Sequence, residues 1–569
     1  MAVIALPSSV AAIVAELPRS LVLSLTPIIF IGVLLVFTNV FTTIRYHLAQ
    51  RRNASSTKPQ LPAPLPYTLP FLGQALSWLA PQPGLFWHRI FNAYPDLRRS
   101  GTCTLQLANQ RAHILFAPAA VQALFRAPLT RYQFNKKLLT TSLGLSEREA
   151  ALFVGLDDDT IDPDTGLNAI QLQERMNHEY LLKPERVNEL TKEFIRVLKD
   201  TLDGELKNEG EEVELDLYEW VRNRMFKAST DAFFGTNMME MMGPQFEEDF
   251  YEFDRSFLTM FFGVPRLFAP NAFNVRDRLL DGLERWQKQM QENTNGVPAD
   301  PDGDIDWEPN YGSRADRARQ QYYAKRGLSL RARGGMDLGF LFGASSNAIP
   351  ATGWMLMHII DPNGDKTVLP RVMEELQTAK NPDGTVNIQT LIALPLVASI
   401  FHEILRLYVD VLVTREISHD TVLPLEEGKN PRQTLLKGGG VVMAPSFLGH
   451  RDAKVWSPPG MPPYDVFYAD RFLKTDPETG KTVFSTAGSV GKLFPFGGGR
   501  TICPGRVFAK QEVLGSVAYM LLNFEFEVLK YVDVKGKTVN HFPGLREGFS
   551  GSGIMVMGGD VRVKMKRRR

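Results

Sequence analysis

The sequence predicts a mainly α-helical fold with minor β-sheet, preceded by one membrane-crossing helix. Three observations carry this. Long stretches set apolar residues three and four apart, as in "RVNELTKEFIRVLKDTLDGEL", "DLYEWVRNRMFKASTDAFF" and "RVMEELQTAK". Strand-like runs are short and late: "GVVMAP", "EFEVL" and "IMVMGG". Residues 20–44, "SLVLSLTPIIFIGVLLVFTNVFTTI", hold no Asp, Glu, Lys, Arg or His.

After an N-terminal segment, 1–19, the apolar run 20–44 comes first. As a helix it spans about 37 Å, against a hydrocarbon core of about 30 Å. A cleaved signal peptide has a shorter apolar region and a small-residue cleavage site. Here the run ends in Arg45, His47, Arg51 and Arg52. That reads as an uncleaved anchor with the bulk of the chain on the cytoplasmic side. Residues 45–73 form a basic and then Pro-rich segment, with prolines at 59, 62, 64, 66 and 70. Proline blocks helix and favours a stiff extended hinge. Residues 74–569 are the globular domain.

With 569 residues and 44% hydrophobic composition, the chain can bury a large core. A net charge of +1 excludes a nucleic-acid partner held by bulk charge. Two cysteines cannot build a disulfide framework. The polar stretch 292–316 reads as a surface loop or insertion, because helical pattern resumes on both sides. The apolar stretch 257–270, "FLTMFFGVPRLFAP", reads equally as core or as a lid that meets substrate or membrane.

The chemistry concentrates in "FPFGGGRTICPGRVFA", residues 494–509. Glycines let a backbone approach a flat ligand and take positive φ. Cys503 precedes Pro504, a residue favoured at a first helical position, so it reads as lying at or near a helix N-cap. There the dipole favours a thiolate. With no cysteine or histidine beside it, zinc is not expected. A nucleophile paired with a distant histidine stays open, and a single thiolate also suits haem iron.

This loop resembles the haem-binding loop of the cytochromes P450. Phe496, Gly499 and Gly505 match the family pattern around Cys503. Arg500 lies three before the cysteine, where many members have it two before. Further signatures follow in order. "FHEILRLY" gives Glu403 and Arg406, a turn apart, and "YADRF" gives Arg471. The resemblance implies a buried Glu-Arg-Arg network that is structural. It also implies a haem cofactor with Cys503 as axial iron ligand, and Arg500 and Arg415 as partners of its propionates. Trp220 and Arg224 imitate another family contact but lie too late in the chain. Arg175 and His178 are better placed.

On the oxygen side the matching stretch is "FGASSNAIPATGW". Gly343 and Ala344 supply small residues. Ser346 stands where the family usually has an acid, and Asn347 where it has a threonine. Pro350 is expected to kink the helix. This stretch resembles the branch of cholesterol 7α-hydroxylase and prostacyclin synthase, and the loop and insertion resemble filamentous-fungal members. The resemblance implies an endoplasmic-reticulum monooxygenase, single-pass, with Asn347 and Ser346 as catalytic candidates. Its expected partners are NADPH-cytochrome P450 reductase, dioxygen, membrane lipid and a hydrophobic substrate of terpenoid, sterol-like or polyketide type. The alternative is a haem isomerase or dehydratase that needs no external electrons. Lys492, Arg506 and Lys510 read as a docking face or as a plain solvated one.

Overall fold

The computed structural model describes residues 19–56, 58–79, 84–154, 161–162, 165–206, 210–548 and 551–568. They fall into two compact units. The first holds 19–79, 88–123 and 417–443; the second holds 84–87, 124–416 and 444–568.

In the first unit, helix α1 (Arg19–Ser55) is one uninterrupted rod that tolerates Pro27. Its segment Thr26–Ser55 is long and apolar enough to cross a membrane. Ile28, Phe30 and Phe37 are each more than 60% exposed, so no protein core explains them. The helix continues eleven residues beyond Ile44, because Arg45–Ser55 contains neither proline nor glycine. The extended segment therefore starts only after Ser55. That segment is fixed rather than loose. Leu65 N–H donates to Thr104 O at 2.8 Å, and Thr104 N–H to Ala63 O at 2.9 Å. Ala63 and Leu65 are buried. Thr42 Oγ1 bonds both ways with Tyr67, donating to its carbonyl and accepting from its N–H. Proline lacks a donor, yet the residues between the prolines supply enough to lay the strap along a strand. That strand, Thr102–Leu107, pairs antiparallel with Gln110–Leu115. Ala112–Ile114 then pairs in parallel with 441–443. Cys103 lies fully buried in this sheet, and burial pushes its thiol well above the ordinary range.

The second unit is helical. Its principal helices are α2 (Ala169–Leu181), α3 (Pro184–Asp203), α4 (Leu217–Phe234), α5 (Phe246–Phe261), α6 (Pro270–Asn293), α7 (Leu330–Ile360), α8 (Pro395–Tyr408) and α9 (Arg506–Asn523). Three begin on proline, whose fixed φ and missing N–H cost nothing at a first turn. Asn168 and Gln171 close a reciprocal cap on α2. Ser329 caps α7 by accepting from Ala332 N–H. The rings of Phe233, Phe340 and Phe508 lock α4, α7 and α9 together at centroid separations of 4.9 and 5.1 Å.

The sheet of this unit is small. Phe524–Asp533 pairs antiparallel with Gly559–Arg567, which pairs in turn with Glu212–Asp216. Ser552–Ile554 pairs with 409–411. The run "IMVMGG" is thus not a strand. Residues 555–558 link two strands of different sheets. The 292–316 stretch is an insertion tied down from within. Arg317 and Arg314 reach back to the carbonyls of Asp300, Pro301 and Gly303. The 257–270 stretch divides. Phe257 stacks on Phe342 at 4.1 Å, whereas Leu267 and Phe268 are exposed. The first half is thus core, and the second half is a surface turn.

Candidate active site

Cys503 lies in the loop that leads into α9. Helix α9 starts at Arg506 with Gly505 as N-cap, so Cys503 precedes the cap by two residues and Pro504 lies outside the helix. The N–H groups of Gly505 and Arg506 still point at the sulfur. They lower its pKa, as do the Arg506 and Arg131 charges, but burial outweighs them and pushes the free thiol up. Cys503 N–H donates to Phe496 O at 3.0 Å, which closes the loop on itself.

The glycines serve a neighbour that the sequence did not name. Gly499 has φ +68°, and a Cβ there would strike the Phe125 carbonyl oxygen. A Cβ on Gly498 would strike the Phe125 ring. Phe125 also packs edge-on against Phe494, 5.6 Å between centroids. Gly498 and Gly499 therefore admit Phe125. Gly505 has only the cysteine sulfur near its Cβ position, at 3.9 Å.

Glu403, Arg406 and Arg471 meet in the core. Glu403 accepts from Arg406 Nε at 2.7 Å and Arg471 Nε at 2.9 Å, with all three side chains almost fully buried. The remaining guanidinium donors go to the carbonyls of His450, Tyr464, Pro463, Val466 and Trp456. Such complete pairing is what makes buried charge tolerable. His450 extends this network to the cysteine loop, since its Nε2 accepts from Phe494 N–H at 2.9 Å. Sequence reasoning missed His450, although it stands alone inside "FLGHRD".

The arginines divide differently from the sequence expectation. Arg415 is buried and donates to the carbonyls of Thr414 and Gly498. Its pKa is pushed down to about 10 by burial and by Arg131. Arg131 is held down chiefly by burial and feels the Cys503 charge. No motif marked Arg131. Arg500 instead turns outward and forms a two-pronged pair with Glu174 on α2, at 2.8 and 3.0 Å, with its side chain 76% exposed. Charge-assisted, two-pronged pairing of this kind fixes the guanidinium plane. Arg175 and His178 are exposed on the same helix. Trp220 and Arg224 both bond Glu205, and Trp220 packs on Phe524 and Phe526, a structural role. Arg506 and Lys510 donate to the carbonyls of Cys503 and Ile392, and Lys492 to that of Gly488.

On α7, Asn347 and Ser346 part company. Asn347 Oδ1 accepts from Ile554 N–H at 2.9 Å. Ser346 Oγ is buried without a close hydrogen-bond partner and lines a cavity of about 190 Å³. Gly343 has no heavy atom within 4 Å of its Cβ position, so this face of α7 is open. The helix assignment runs unbroken through Pro350.

The cytochrome P450 family model matches residues 63–545. This chain belongs to the cytochrome P450 family. Similar proteins include the cytochrome P450 monooxygenase calL of Penicillium decumbens, 31% identical over 69% of this chain and 71% of that one. The monooxygenase efuG of Hormonema carpetanum is 28% identical over 82% and 84%. Cytochrome P450 7A1 of Oryctolagus cuniculus is 28% identical over 56% and 59%. A retinoic-acid-bound cyanobacterial CYP120A1 structure shares the fold, with a TM-score of 0.61 at 16% identity over 90% of this chain and 100% of that one.

The protein is thus a P450 monooxygenase, an oxidoreductase whose family carries haem on a cysteine thiolate. The residues present fit that group. Cys503 stands in a loop with two N–H groups aimed at its sulfur. The Arg131 charge lowers the Arg415 pKa, and among the described residues neither arginine forms an ion pair with a carboxylate. One buried and one partly buried cation without a carboxylate partner suit a dianionic ligand edge.

Proposed function

We propose that this P450 is a membrane-anchored monooxygenase of a hydrophobic small molecule, with Cys503 as axial ligand to haem iron and Arg131 and Arg415 at the propionates. The observation that carries it is the placement of Cys503 beside the partly buried Arg131, with the buried Arg415 bonded to the same loop at Gly498, while Cys103 sits inside a sheet. Phe496, Gly499 and Gly505 hold the shape of the loop. Glu403, Arg406 and Arg471 brace it through His450. When bound, haem supplies dioxygen activation, with the thiolate lending electron density for O–O cleavage.

Helix α1 serves as the anchor in the endoplasmic-reticulum membrane, with the catalytic domain on the cytoplasmic side. Leu267 and Phe268, exposed between α5 and α6, add a second apolar contact. Electrons come from NADPH through a reductase. The likeness to fungal monooxygenases supports a role in specialised metabolism, on a terpenoid, sterol-like or polyketide skeleton.

Two measurements test this reading. Cys503→Ala should abolish the thiolate-type carbon-monoxide spectrum, while Cys103→Ala keeps it. Turnover should require NADPH, reductase and dioxygen together. Full-rate product formation without oxygen or reductase would favour an isomerase instead.

A further inference from the structure

Helix α7 carries no ionisable side chain from Leu338 to Met357. A monooxygenase nevertheless consumes protons, and this inference rests on that reading. Each turnover takes dioxygen, two electrons from NADPH and two protons. One oxygen atom enters a substrate C–H bond, and the other leaves as water carrying both protons. An acid must therefore come from elsewhere in the fold.

The cavity over Ser346 shows where. Its walls are Asp254 and Leu258 from α5, Phe342 and Ser346 from α7, and Arg546 and Ile554 from the C-terminal segment. At its inner end Ser346 is only 9% exposed, and its hydroxyl faces the Asp254 carboxyl from just beyond direct hydrogen-bond distance. Ser345 Oγ, next to it, is likewise buried and unpaired. Pro350 offers no N–H to the Ser346 carbonyl four residues before it. Orphaned polar groups beside a cavity of this size are the setting in which ordered water sits. At its outer end the cavity is rimmed by Arg255 and Glu547, both exposed. It leads from solvent to the distal helix.

We infer that Asp254 is the proton-holding carboxyl of the distal pocket, passing protons from this cavity to Ser346 Oγ. Asp254 works through Ser346 and does not itself meet the substrate. Burial raises its pKa; the Ser346 hydroxyl, Arg546 and Arg255 lower it, and burial wins. The other titratable groups facing it are Tyr218 on α4, Tyr251 on α5 and Glu547 at the rim. Arg546 is itself half-buried, and the Asp254 charge supports its protonation. An acid so placed reloads from solvent and unloads inward.

The test uses the full-length haem-loaded protein with reductase, NADPH and dioxygen. Asp254→Asn should slow NADPH consumption at least about tenfold. It should also enlarge the solvent isotope effect and remove the fall in rate as pH rises through the carboxyl's pKa. Asp254→Glu should restore most of the rate. Thioanisole oxidation by iodosylbenzene transfers an oxygen atom without protons, and it should stay within about twofold of wild type. A readout apart from activity is the pH titration of a carboxyl infrared band, present in wild type with a midpoint above the ordinary carboxyl range and missing in Asp254→Asn. If Asp254→Asn loses its thiolate spectrum through misfolding, Ser346→Ala carries the same test and should show the same enlarged isotope effect. Unchanged NADPH rate and isotope effect overturn the role of Asp254 while leaving the monooxygenase reading intact. A wild-type protein that consumes neither NADPH nor dioxygen overturns the monooxygenase reading instead.

Discussion

Asn347 Oδ1 accepts the N–H of Ile554 at 2.9 Å, while Trp354, two turns further along the same helix, donates from Nε1 to Met555 O at 2.8 Å. Helix α7 thus fastens the 552–556 segment at two points. Gly553 has φ +142°, and its Cβ position meets Asn347 Oδ1, so only glycine fits between them.

Asn347→Ala should leave the Ile554 N–H without a partner and lower stability by about 1–3 kcal/mol. Asn347→Asp keeps an acceptor oxygen and should retain most of it. Gly553→Ala should resemble Asn347→Ala. Thermal unfolding of the haem-loaded protein measures all three. Equal stability of Asn347→Ala and wild type would mean that the bond holds nothing.

The cationic pair predicts haem retention. If Arg131 and Arg415 hold the propionates as proposed, Arg131→Gln and Arg415→Met should each speed haem loss to apomyoglobin about tenfold or more, since each removes a positive partner from a carboxylate. Arg500→Gln should change it little, because the Arg500–Glu174 pair is exposed. Faster loss from Arg500→Gln than from Arg415→Met would reverse the assignment.

Glu512 on α9 is buried, and Ser229 Oγ donates to it at 2.5 Å. Burial raises its pKa to about 8. A carboxyl raised in the folded state stabilises fully below its unfolded pKa, and that contribution disappears as pH climbs through the folded pKa. The wild-type melting temperature should therefore fall between about pH 4.5 and about pH 8, the window this shift defines. Glu512→Gln stays neutral and should flatten that decline. A variant whose melting temperature declines as steeply as wild type would exclude Glu512 as the source.

Truncation should depend on where α1 is cut. Tyr46 is buried, and its ring lies 5.0 Å from that of Tyr94, while Thr42 is bonded to Tyr67. Removing residues 1–40 spares these contacts and should release a folded, haem-containing protein from membranes. Removing 1–52 also strips the strap of its cover and should lower the melting temperature measurably. Identical melting of the two truncated proteins would show that the last turns of α1 add nothing to the fold.

Much of the site could be read before any coordinates, because a few residues have chemistry that spacing betrays. Cys503 is one of two cysteines and follows three glycines. Glu403 and Arg406 lie one turn apart on an apolar helix. What stayed hidden depends on chain segments that meet only in three dimensions. Arg131 has no motif, and its part comes from lying opposite Arg415. Arg500 satisfies a pattern, and its pairing with Glu174 is visible only once α2 is folded against the loop. Asp254 is one acid among many on α5 until Ser346 is seen across the cavity. The run "IMVMGG" had strand composition, but its carbonyls and N–H groups serve α7 and two separate sheets. The basic stretch after Ile44 looked like a linker, and helical propensity without a breaker carried it on to Ser55.

The fit of Phe125 over Gly498 and Gly499 makes two distant stretches of the gene a single heritable unit. A library that randomises residues 494–505 alone will keep returning glycine at 498 and 499, however permissive the selection, because the obstacle is encoded far upstream. Replacing Phe125 with a smaller residue opens alternatives at Gly498, where the ring is the barrier. It does not do so at Gly499, where the barrier is Phe125's own backbone oxygen. The two neighbouring glycines thus differ in evolutionary latitude, one conditional on its neighbour's size and the other fixed by the path of the main chain.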